Sequence, residues 1–457
     1  MMYRTMLGCL AAVVLSVNGA FPVTLIGAEA EASAVDLFSR PLTLPEALRI
    51  AEAQNGALAQ ARKEIEAQTG LALQARVVAL PKVRGAGAYQ KVDTGAIDPF
   101  FPGFPRANDQ SWNLGVQVVQ PIYQGGRIQA GLRTSKLLKD HALRQFETAL
   151  ADTVLAVRLA FADALLAREN IVVQEASVSL LTRELEDTKR RFEAGTVPQF
   201  NVLRAETELG NARPRLIRAR NAQRTAKQTL LNLLGQHMPP GMAEEIPLQL
   251  SGSLETPETV IDLSQVLVEA LDKRSELAAL RIARSLRTED VTASKSGMLP
   301  RVELFTGYGG RSTQFDHDLG NVLSGWQAGA QASWDIWDGG LTRGKVKESQ
   351  ARLDQSAIAL DEGTRRVELE VRNAFSALNE ARELLRSQKQ VTATAEEALR
   401  LASSRAEAGA ATQLDVLNAQ TALTEARTIF VQAQRDYSTA LSRLERATGR
   451  LVPAAAR

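Results

Sequence analysis

The chain has almost no cysteine, few aromatic residues and no strong net charge. Its 457 residues include one cysteine, Cys9, and 5% aromatic side chains. One cysteine excludes a disulfide framework within the chain. A formal net charge of +2 gives no basis for expecting nucleic acid as a partner. Past the N-terminus, no apolar run reaches the roughly 20 residues of a membrane-spanning helix.

The first 30 residues have the pattern of an export signal. Arg4 precedes an apolar run from Leu7 to Val17, and small residues follow. Two Ala-x-Ala sequences predict cleavage, and we place the site within residues 20–34. Cys9 lies inside the apolar run, so we expect it to be removed with the signal rather than to carry lipid. A short buried N-terminal helix is the alternative, which Arg4 and the Ala-x-Ala sequences disfavour.

Proline is missing from two long stretches, residues 127–197 and 301–452. Within them, apolar residues recur every seven positions, which is typical of coiled-coil helices. The series are Leu143, Leu150, Val157, Ala164, Ile171, Val178, Leu185 and Phe192, then Val346, Leu353, Leu360, Val367, Ala374 and Ala381. The pattern predicts long helices over 127–194 and 341–408, each about 100 Å long. Such helices are stable only when packed against others.

The two stretches belong to a duplication. Gly125-Gly126 recurs as Gly339-Gly340, and the sequence that begins at Glu193 recurs from Glu407, both 214 residues later. We therefore predict two structural repeats, 42–235 and 262–450, joined by a proline-rich connector over 236–258. A period this long is not that of a solenoid, whose units have about 20–50 residues.

Each repeat is predicted to contain the same four elements. They are a first helix, a β-hairpin (82–123 and 301–337), the long helix, and a returning helix (200–234 and 412–447). In the first repeat the first helix is expected to run from Leu44 to Ala79.

Gly195 and Gly409 are suited to end the long helices. Pro198 is expected at the first position of a returning helix, which Pro214 should kink or break, and Thr412 with Asp415 predicts a capping box.

The hairpin sequences alternate between apolar and small or polar residues. Val116 and Val118 in the first hairpin, and Ala330 and Ala332 in the second, are predicted to face lipid, whereas Gln117 and Gln331 face a lumen. Tryptophans near the strand ends suit the membrane interface; these are Trp112, Trp326 and Trp334. Lipid-exposed strands must close into a barrel, and four strands are too few. The pattern thus predicts an oligomer.

Several motifs together resemble the TolC family of outer-membrane efflux proteins. They are the opening Leu42-Thr43-Leu44-Pro45-Glu46-Ala47-Leu48, the sequences Leu80-Pro81 and Leu299-Pro300, the turns Tyr123-Gln124-Gly125-Gly126 and Trp337-Asp338-Gly339-Gly340, and the segment from Ala408 to Gln420. The resemblance covers residues 42–450. Each motif is weak alone, but their order at duplicated spacing is specific.

The resemblance implies a fold that is mainly α with membrane β-hairpins. Three protomers would build a twelve-stranded β-barrel in the outer membrane of a Gram-negative bacterium and an α-helical tunnel through the periplasm. The expected partners are two further copies of the chain, outer-membrane lipid, a periplasmic adaptor and an inner-membrane pump. The pump is either proton-driven or ATP-driven, and no cofactor is implied.

The family also suggests roles for residues at the ends of the long helices. Asp415 matches a carboxylate that rings the tunnel entrance, although helix capping is the alternative. A second acidic position is Asn418 here. Positions that form closing links in the family are occupied by Ala406, Ala411 and Asn201, which cannot form them. The turns Ala194-Gly195-Thr196 and Ala408-Gly409-Ala410 match the adaptor-docking tips, or simply cap the helices.

The sequence offers no catalytic constellation. It has no nucleophile–base arrangement, no phosphate-binding loop and no paired zinc ligands, so we expect no enzyme. Asp316-His317-Asp318 could bind a metal, but a solvated turn is favoured and no metal is expected. The favoured function is passive export of drugs and toxic compounds. The alternatives are a protein-secretion duct and a structural coiled-coil protein of the envelope.

Overall fold

The computed structural model describes residues 40–97, 108–236, 246–313 and 319–451. The expected export signal, the loop 98–107, residues 237–245 of the connector and Asp316-His317-Asp318 lie outside the described residues. The fold within the described ranges is mainly helical, with four strands in one antiparallel sheet. The predicted fold class is confirmed at this level.

The helices occur in pairs of equal length, one member from each repeat. They are α1 (Leu44–Gln54), α2 (Gly56–Arg76), α3 (Arg127–Glu193), α4 (Gln199–Leu233), α5 (Leu263–Lys273), α6 (Ser275–Lys295), α7 (Leu341–Glu407) and α8 (Gln413–Ala447). The four matched pairs have 11, 21, 67 and 35 residues. At 1.5 Å per residue, α3 and α7 are each about 100 Å long.

The strands form a single sheet in chain order. They are β1 (Lys82–Lys91), β2 (Gln110–Gln124), β3 (Arg301–Ser312) and β4 (Val322–Ser333). All neighbours are antiparallel, and β2 pairs with β3 across the repeats. The two hairpins are therefore one continuous sheet whose edges are β1 and β4.

The long helix α3 forms the centre of the helical body. It packs against α2 and α4 from its own repeat and against α6 and α8 from the other. Helix α7 packs against α5, α6 and α8. Helices α2 and α4 thus form one flank of the chain, on the side of the sheet edge β1. Helix α7 forms the other flank, on the side of the sheet edge β4.

Two buried clusters lie where the short helices and the connector meet the long helices. One surrounds Val157 of α3 and Leu248 of the connector, and the other surrounds Val371 of α7 and Leu444 of α8. Burying one such side chain stabilises the fold by roughly 1.5–3 kcal/mol. Leu143 and Phe192, near the ends of α3, are 49% and 42% exposed in the single chain. The buried heptad positions lie nearer the middle of the long helices: Leu150, Val157, Ala164, Val367 and Ala381.

The predicted first helix is two helices. Asn55 interrupts it with an extended backbone, and its Oδ1 accepts hydrogen bonds from the backbone N–H groups of Ala57 (2.9 Å) and Leu58 (3.3 Å). Its Nδ2 donates to the carbonyl of Leu233 at 2.7 Å, at the end of α4. The prediction of one helix was wrong because this capping and the tertiary contact outweigh the helical periodicity of the flanking sequence.

Two predictions about proline also need correction. Helix α4 continues through Pro214 rather than breaking there. The carbonyl that loses its backbone donor belongs to Gly210, which is exposed, so water can satisfy it. Pro198 is the N-cap of α4, and the first helical residue is Gln199.

Two buried arginines join four helices near the junction of α5 and α6. The guanidinium of Arg446 lies 2.6 Å from Asp152 and 2.5 Å from Glu276, and that of Arg274 lies 2.7 Å from Glu370. Arg274 also donates to the carbonyl of Ala447 at 3.1 Å, at the end of α8. Burial tends to raise the pKa of Glu276, but Arg446 and Arg274 outweigh it and hold that pKa below its usual value. The charges therefore compensate one another at this junction.

No helix in the described ranges combines the length and the apolar character needed to cross a bilayer.

Candidate functional site

The sheet has two chemically different faces. Residues directly opposite each other on antiparallel strands share a face. One face is aromatic and aliphatic, and its members include Tyr89, Trp112, Leu114, Val116, Val118, Val302, Leu304, Tyr308, Trp326, Ala330 and Ala332. The other face is polar and includes Arg84, Asn113, Gln117, Glu303, Gln327 and Gln331. The structure thus places the four predicted lipid-facing residues together, with Gln117 and Gln331 opposite.

The three tryptophans occupy different positions. Trp112 lies in β2, and its indole Nε1 donates to the carbonyl of Leu319 at 3.1 Å, which ties the first hairpin to the second. Trp326 lies in β4 and is 78% exposed in the single chain. Trp334 directly follows the end of β4 at Ser333, near the strand end as predicted but outside the strand itself. Its indole donates to the carbonyl of Met298 at 3.1 Å, which holds it at the junction with the helices.

Both edges of the sheet are open in the single chain. Strand β1 pairs only with β2, and β4 pairs only with β3 among the described strands. Exposed apolar side chains accompany each edge. Val83 on β1 is 69% exposed, and Ile336 and Trp337 beyond β4 are 82% and 87% exposed. The sequence analysis named Trp337 only as part of the turn Trp337-Asp338-Gly339-Gly340 and did not name Ile336, although apolar residues in an otherwise polar turn were a usable signal.

Paired glycines turn the chain from the sheet into each long helix. Gly125 and Gly126 have φ of 59° and 90°, and Gly339 and Gly340 have φ of 68° and 91°. These left-handed values favour glycine. In the second turn, Asp338 accepts from the backbone N–H of Gly340 at 3.0 Å. The Gly-Gly motifs therefore fix the direction in which the helices leave the sheet.

At the far ends of the helices, the two predicted tips have the same geometry. Gly195 and Gly409 have φ of 70° and 75°, and both are exposed. The N–H of Thr196 donates to the carbonyl of Arg191 at 2.9 Å, and the N–H of Ala410 donates to that of Arg405 at 2.7 Å. These bonds complete helix C-caps. Ala194 and Ala408 are exposed as well, so small residues form the outer surface of both tips.

Asp415 lies beside the second tip and completes the predicted capping box. Its Oδ2 accepts from the backbone N–H of Thr412 at 2.8 Å and from the Thr412 hydroxyl at 2.7 Å. The hydrogen bonds from the hydroxyl and the backbone of Thr412 lower the pKa of Asp415. The carboxylate is exposed and charged at neutral pH. It thus caps the helix and presents a negative charge to solvent.

The other residues considered for the entrance make no closing link within the described chain. Asn418 is exposed, and Asn201, Ala406 and Ala411 are partly buried. The N–H of Asn201 donates to the carbonyl of Pro198 at 3.0 Å, within its own helix start.

A tip contact that the sequence analysis missed involves Gln413. Its Nε2 donates to Glu184 Oε1 at 3.3 Å and also bonds to the Thr188 hydroxyl. This contact joins the start of α8 to the end of α3, across the two repeats. No periodicity or motif marks it, because it depends on the relative rotation of two helices distant in sequence.

No metal-binding group of three or more His, Cys, Asp or Glu side chains occurs in the part of the chain that the structure describes. The features that stand out are instead a two-faced sheet with open edges, two Gly-Gly turns and two exposed tips about 100 Å away along the helices.

Comparison with known proteins agrees with this geometry. A sequence model described as "Outer membrane efflux protein" matches residues 47–236 and 266–450. The outer membrane protein TolC of Vibrio cholerae is 24% identical over 312 residues, covering 67% of this chain and 69% of TolC. The outer membrane efflux protein BepC of Brucella suis is 26% identical over 380 residues, covering 81% of this chain and 79% of BepC.

A solved structure with the same fold is the CmeC outer membrane channel of Campylobacter jejuni. It superposes with a TM-score of 0.79 at 16% identity, covering 90% of this chain and 86% of CmeC. At this identity the likeness establishes the fold. The family match covers most of both repeats, in the order that the duplication predicts. The chain therefore belongs to the outer membrane efflux protein family.

Proposed function

We propose that the protein is the outer-membrane exit duct of a tripartite efflux system in a Gram-negative bacterium. The observation that carries this proposal is the two-faced, four-stranded sheet with open edges, joined through Gly-Gly turns to helices about 100 Å long. The sheet lies in the outer membrane and the helices extend into the periplasm. The duct is passive: it receives small molecules, such as drugs and toxic compounds, from an inner-membrane pump and an adaptor, and it performs no catalysis.

The open edges support assembly into a ring. Edge strands in a bilayer must pair, because hydrocarbon offers no partner for backbone N–H and C=O groups. The β1 edge of one protomer pairs with the β4 edge of the next, and the flank formed by α2 and α4 packs against α7 in the same way. Such a head-to-tail contact gives a closed ring when the rotation between neighbouring copies divides a full turn into a whole number of steps. Three copies, as in the family, give a twelve-stranded barrel.

Exposed apolar side chains on the two flanks suit this contact. On the α4 flank Phe200 and Ile217 are 67% and 66% exposed, and on α7 Ile358 and Leu369 are 60% and 59% exposed. Exposed apolar surface on both sides of a protein is typical of an interface with another chain. The contact between copies would bury these residues together with Ile336 and Trp337 beside β4.

The two faces of the sheet assign the sides of the barrel. The aromatic and aliphatic face, with Val116, Val118, Ala330 and Ala332, contacts lipid. Trp112, Trp326 and Trp334 lie at the interfaces with the headgroups. The polar face, with Gln117 and Gln331, lines the lumen.

At the periplasmic end, three copies of Asp415 ring the entrance of the tunnel. The capping bonds from Thr412 hold each carboxylate in place and in its charged form. Asn418 adds no charge, so the ring is a weak cation site. Closure relies on contacts other than Ala406, Ala411 and Asn201.

The tips dock the adaptor. The turns Ala194-Gly195-Thr196 and Ala408-Gly409-Ala410 are exposed, small and similar in conformation. A trimer presents six of them at its periplasmic end. A ring of adaptor hairpins could contact these tips end to end.

The assignment of the faces predicts different effects of arginine at adjacent positions. Val116→Arg places a charge against lipid at a cost of roughly 2–4 kcal/mol. Gln117→Arg places the same side chain in the lumen, where water solvates it. Outer-membrane levels of the assembled protein should fall sharply for Val116→Arg and little for Gln117→Arg. Equal losses would mean that the faces are assigned the wrong way or that neither contacts lipid.

The entrance ring predicts a change in divalent-cation block. Asp415→Asn removes the charge and keeps a side chain that can accept hydrogen bonds from Thr412. Block of single-channel current by divalent cations should decrease, while the apparent Tm stays near that of the parent. If Asp415→Asn and Asp415→Ala both leave block unchanged, Asp415 is a helix cap only.

The docking surface predicts that bulk at the tips abolishes export. Thr196→Trp adds bulk beside Gly195 without changing the glycine that the turn requires. Export should fall to the level of cells that lack the protein, while outer-membrane level and assembly remain normal.

The matched control is Thr196→Val, which also loses the 2.8 Å hydrogen bond from the Thr196 hydroxyl to the carbonyl of Arg191 but adds no bulk. It should export normally. Full export and full crosslinking to the adaptor by Thr196→Trp would show that docking occurs along the sides of the helices.

A further inference from the structure

The charged residues of the sheet are unevenly divided between its faces. The four strands contain six charged side chains: Lys82, Arg84, Lys91, Arg301, Glu303 and Arg311. By register, all except Lys91 lie on the polar face. That face therefore carries four positive charges and one negative charge in each chain.

The imbalance is concentrated near the base of the sheet. A cavity of about 330 Å³ on the polar face is lined by three basic side chains, Lys82, Arg84 and Arg127, and by one acidic side chain, Glu303. We call the three basic residues the basic collar. The side-chain amides of Gln117, Gln124 and Gln331 complete the polar lining of the cavity.

The charges of this cavity are not paired with one another. Glu303 Oε1 accepts a hydrogen bond from Gln124 Nε2 at 3.3 Å. Within the described residues, no carboxylate lies within ion-pair distance of Lys82, Arg84 or Arg127. The basic side chains therefore leave a local excess of positive charge.

The adjoining cavity, on the helix side, does not offset this excess. Its volume is about 700 Å³, and it contains both acidic and basic residues. Several of its charges are already paired: Arg301 lies 3.1 Å from Asp335, and Arg352 lies 2.6 Å from Glu348. Arg127 and Glu303 line both cavities, and Asp290 is paired with Arg287 at 2.9 Å. Among the other described side chains of the adjoining cavity, Asp338 and Lys345 have no ion pair, and their charges are opposite, so the net positive charge is that of the collar.

We propose that the basic collar gives the duct a preference for anions and for cargo that carries carboxylate, phosphate or sulfonate groups. This inference rests on the proposed closure of the sheet with its polar face inward. Three collars then form a ring of nine basic groups beside three copies of Glu303. Rings of basic side chains favour anions in pores, and low-dielectric walls concentrate their field. The single Asp415 of each chain, at the far end of the tunnel, is too distant to cancel it, because charges are screened within about 10 Å at 0.1 M salt.

The test is the reversal potential of the purified full-length protein in a planar lipid bilayer under a KCl gradient. The parent should be more permeable to chloride than to potassium. In the double variant Lys82→Gln/Arg84→Gln, the ratio of chloride to potassium permeability should fall by about twofold or more. The difference between parent and variant should shrink at 1 M salt, where the screening length is about 3 Å. Glutamine suits this face, which already carries Gln117 and Gln331.

Two single variants keep the test decisive if the double variant fails to assemble. Glu303→Gln removes the one acidic group and should shift the ratio further toward chloride. Lys91→Gln removes a charge of the same strand on the other face and should leave the ratio unchanged. A conducting parent that prefers potassium, or a ratio that Lys82→Gln/Arg84→Gln and Glu303→Gln both leave unchanged, would overturn the proposal.

Failure of the proposed function would give a different result. A protein that stays monomeric and does not insert into the bilayer, in parent and variants alike, contradicts the duct itself. Equal shifts from Lys91→Gln and from Lys82→Gln/Arg84→Gln would show that the polar face does not line the lumen.

Discussion

An unpaired strand edge is the constraint on which the rest of this molecule depends. Strands β1 and β4 each leave one row of backbone N–H and C=O groups without a partner among the described strands. Water can satisfy such groups, but hydrocarbon cannot. A sheet with one apolar face can therefore enter a bilayer only if another chain pairs with both edges. In this account, assembly is a condition for membrane insertion.

The same constraint explains why the helical body follows the order of the sheet. Helices α2 and α4 lie on the β1 flank and α7 lies on the β4 flank, so one rotation brings together both the strand edges and the helix flanks. The Gly-Gly turns maintain this correspondence because they fix how each long helix leaves its strand. Exposed apolar residues on α4 and α7 would be costly in a monomer but are suited to a contact between copies.

Much of the fold could be predicted from the sequence because it is periodic and duplicated. The heptad series and the absence of proline indicate the long helices, and the two-residue alternation indicates the face of each strand. Helix ends could also be predicted where one or two neighbouring residues determine them. Gly195 and Gly409 end helices with a left-handed φ, and Thr412 with Asp415 forms the capping box.

What the sequence did not reveal depends on contacts between distant segments. The break at Asn55 is held by the end of α4, and the contact of Gln413 with Glu184 depends on how α8 packs on α3. Pro214 was expected to kink or break α4, but α4 does not break there, because the exposed Gly210 carbonyl needs no backbone donor. The basic collar combines Lys82 and Arg84, which share one face of β1 by alternation, with Arg127 at the start of α3. The pairing of β1 with β2 and the turn at Gly125-Gly126 bring Arg127 beside them.

Native mass spectrometry of the protein extracted from membranes in mild detergent tests the central claim most directly. If open edges require closure by other copies, the dominant folded species should contain three chains and no stable folded monomer should accompany it. A folded monomer as the main species would contradict the account, because its edge strands would then have to be satisfied within one chain.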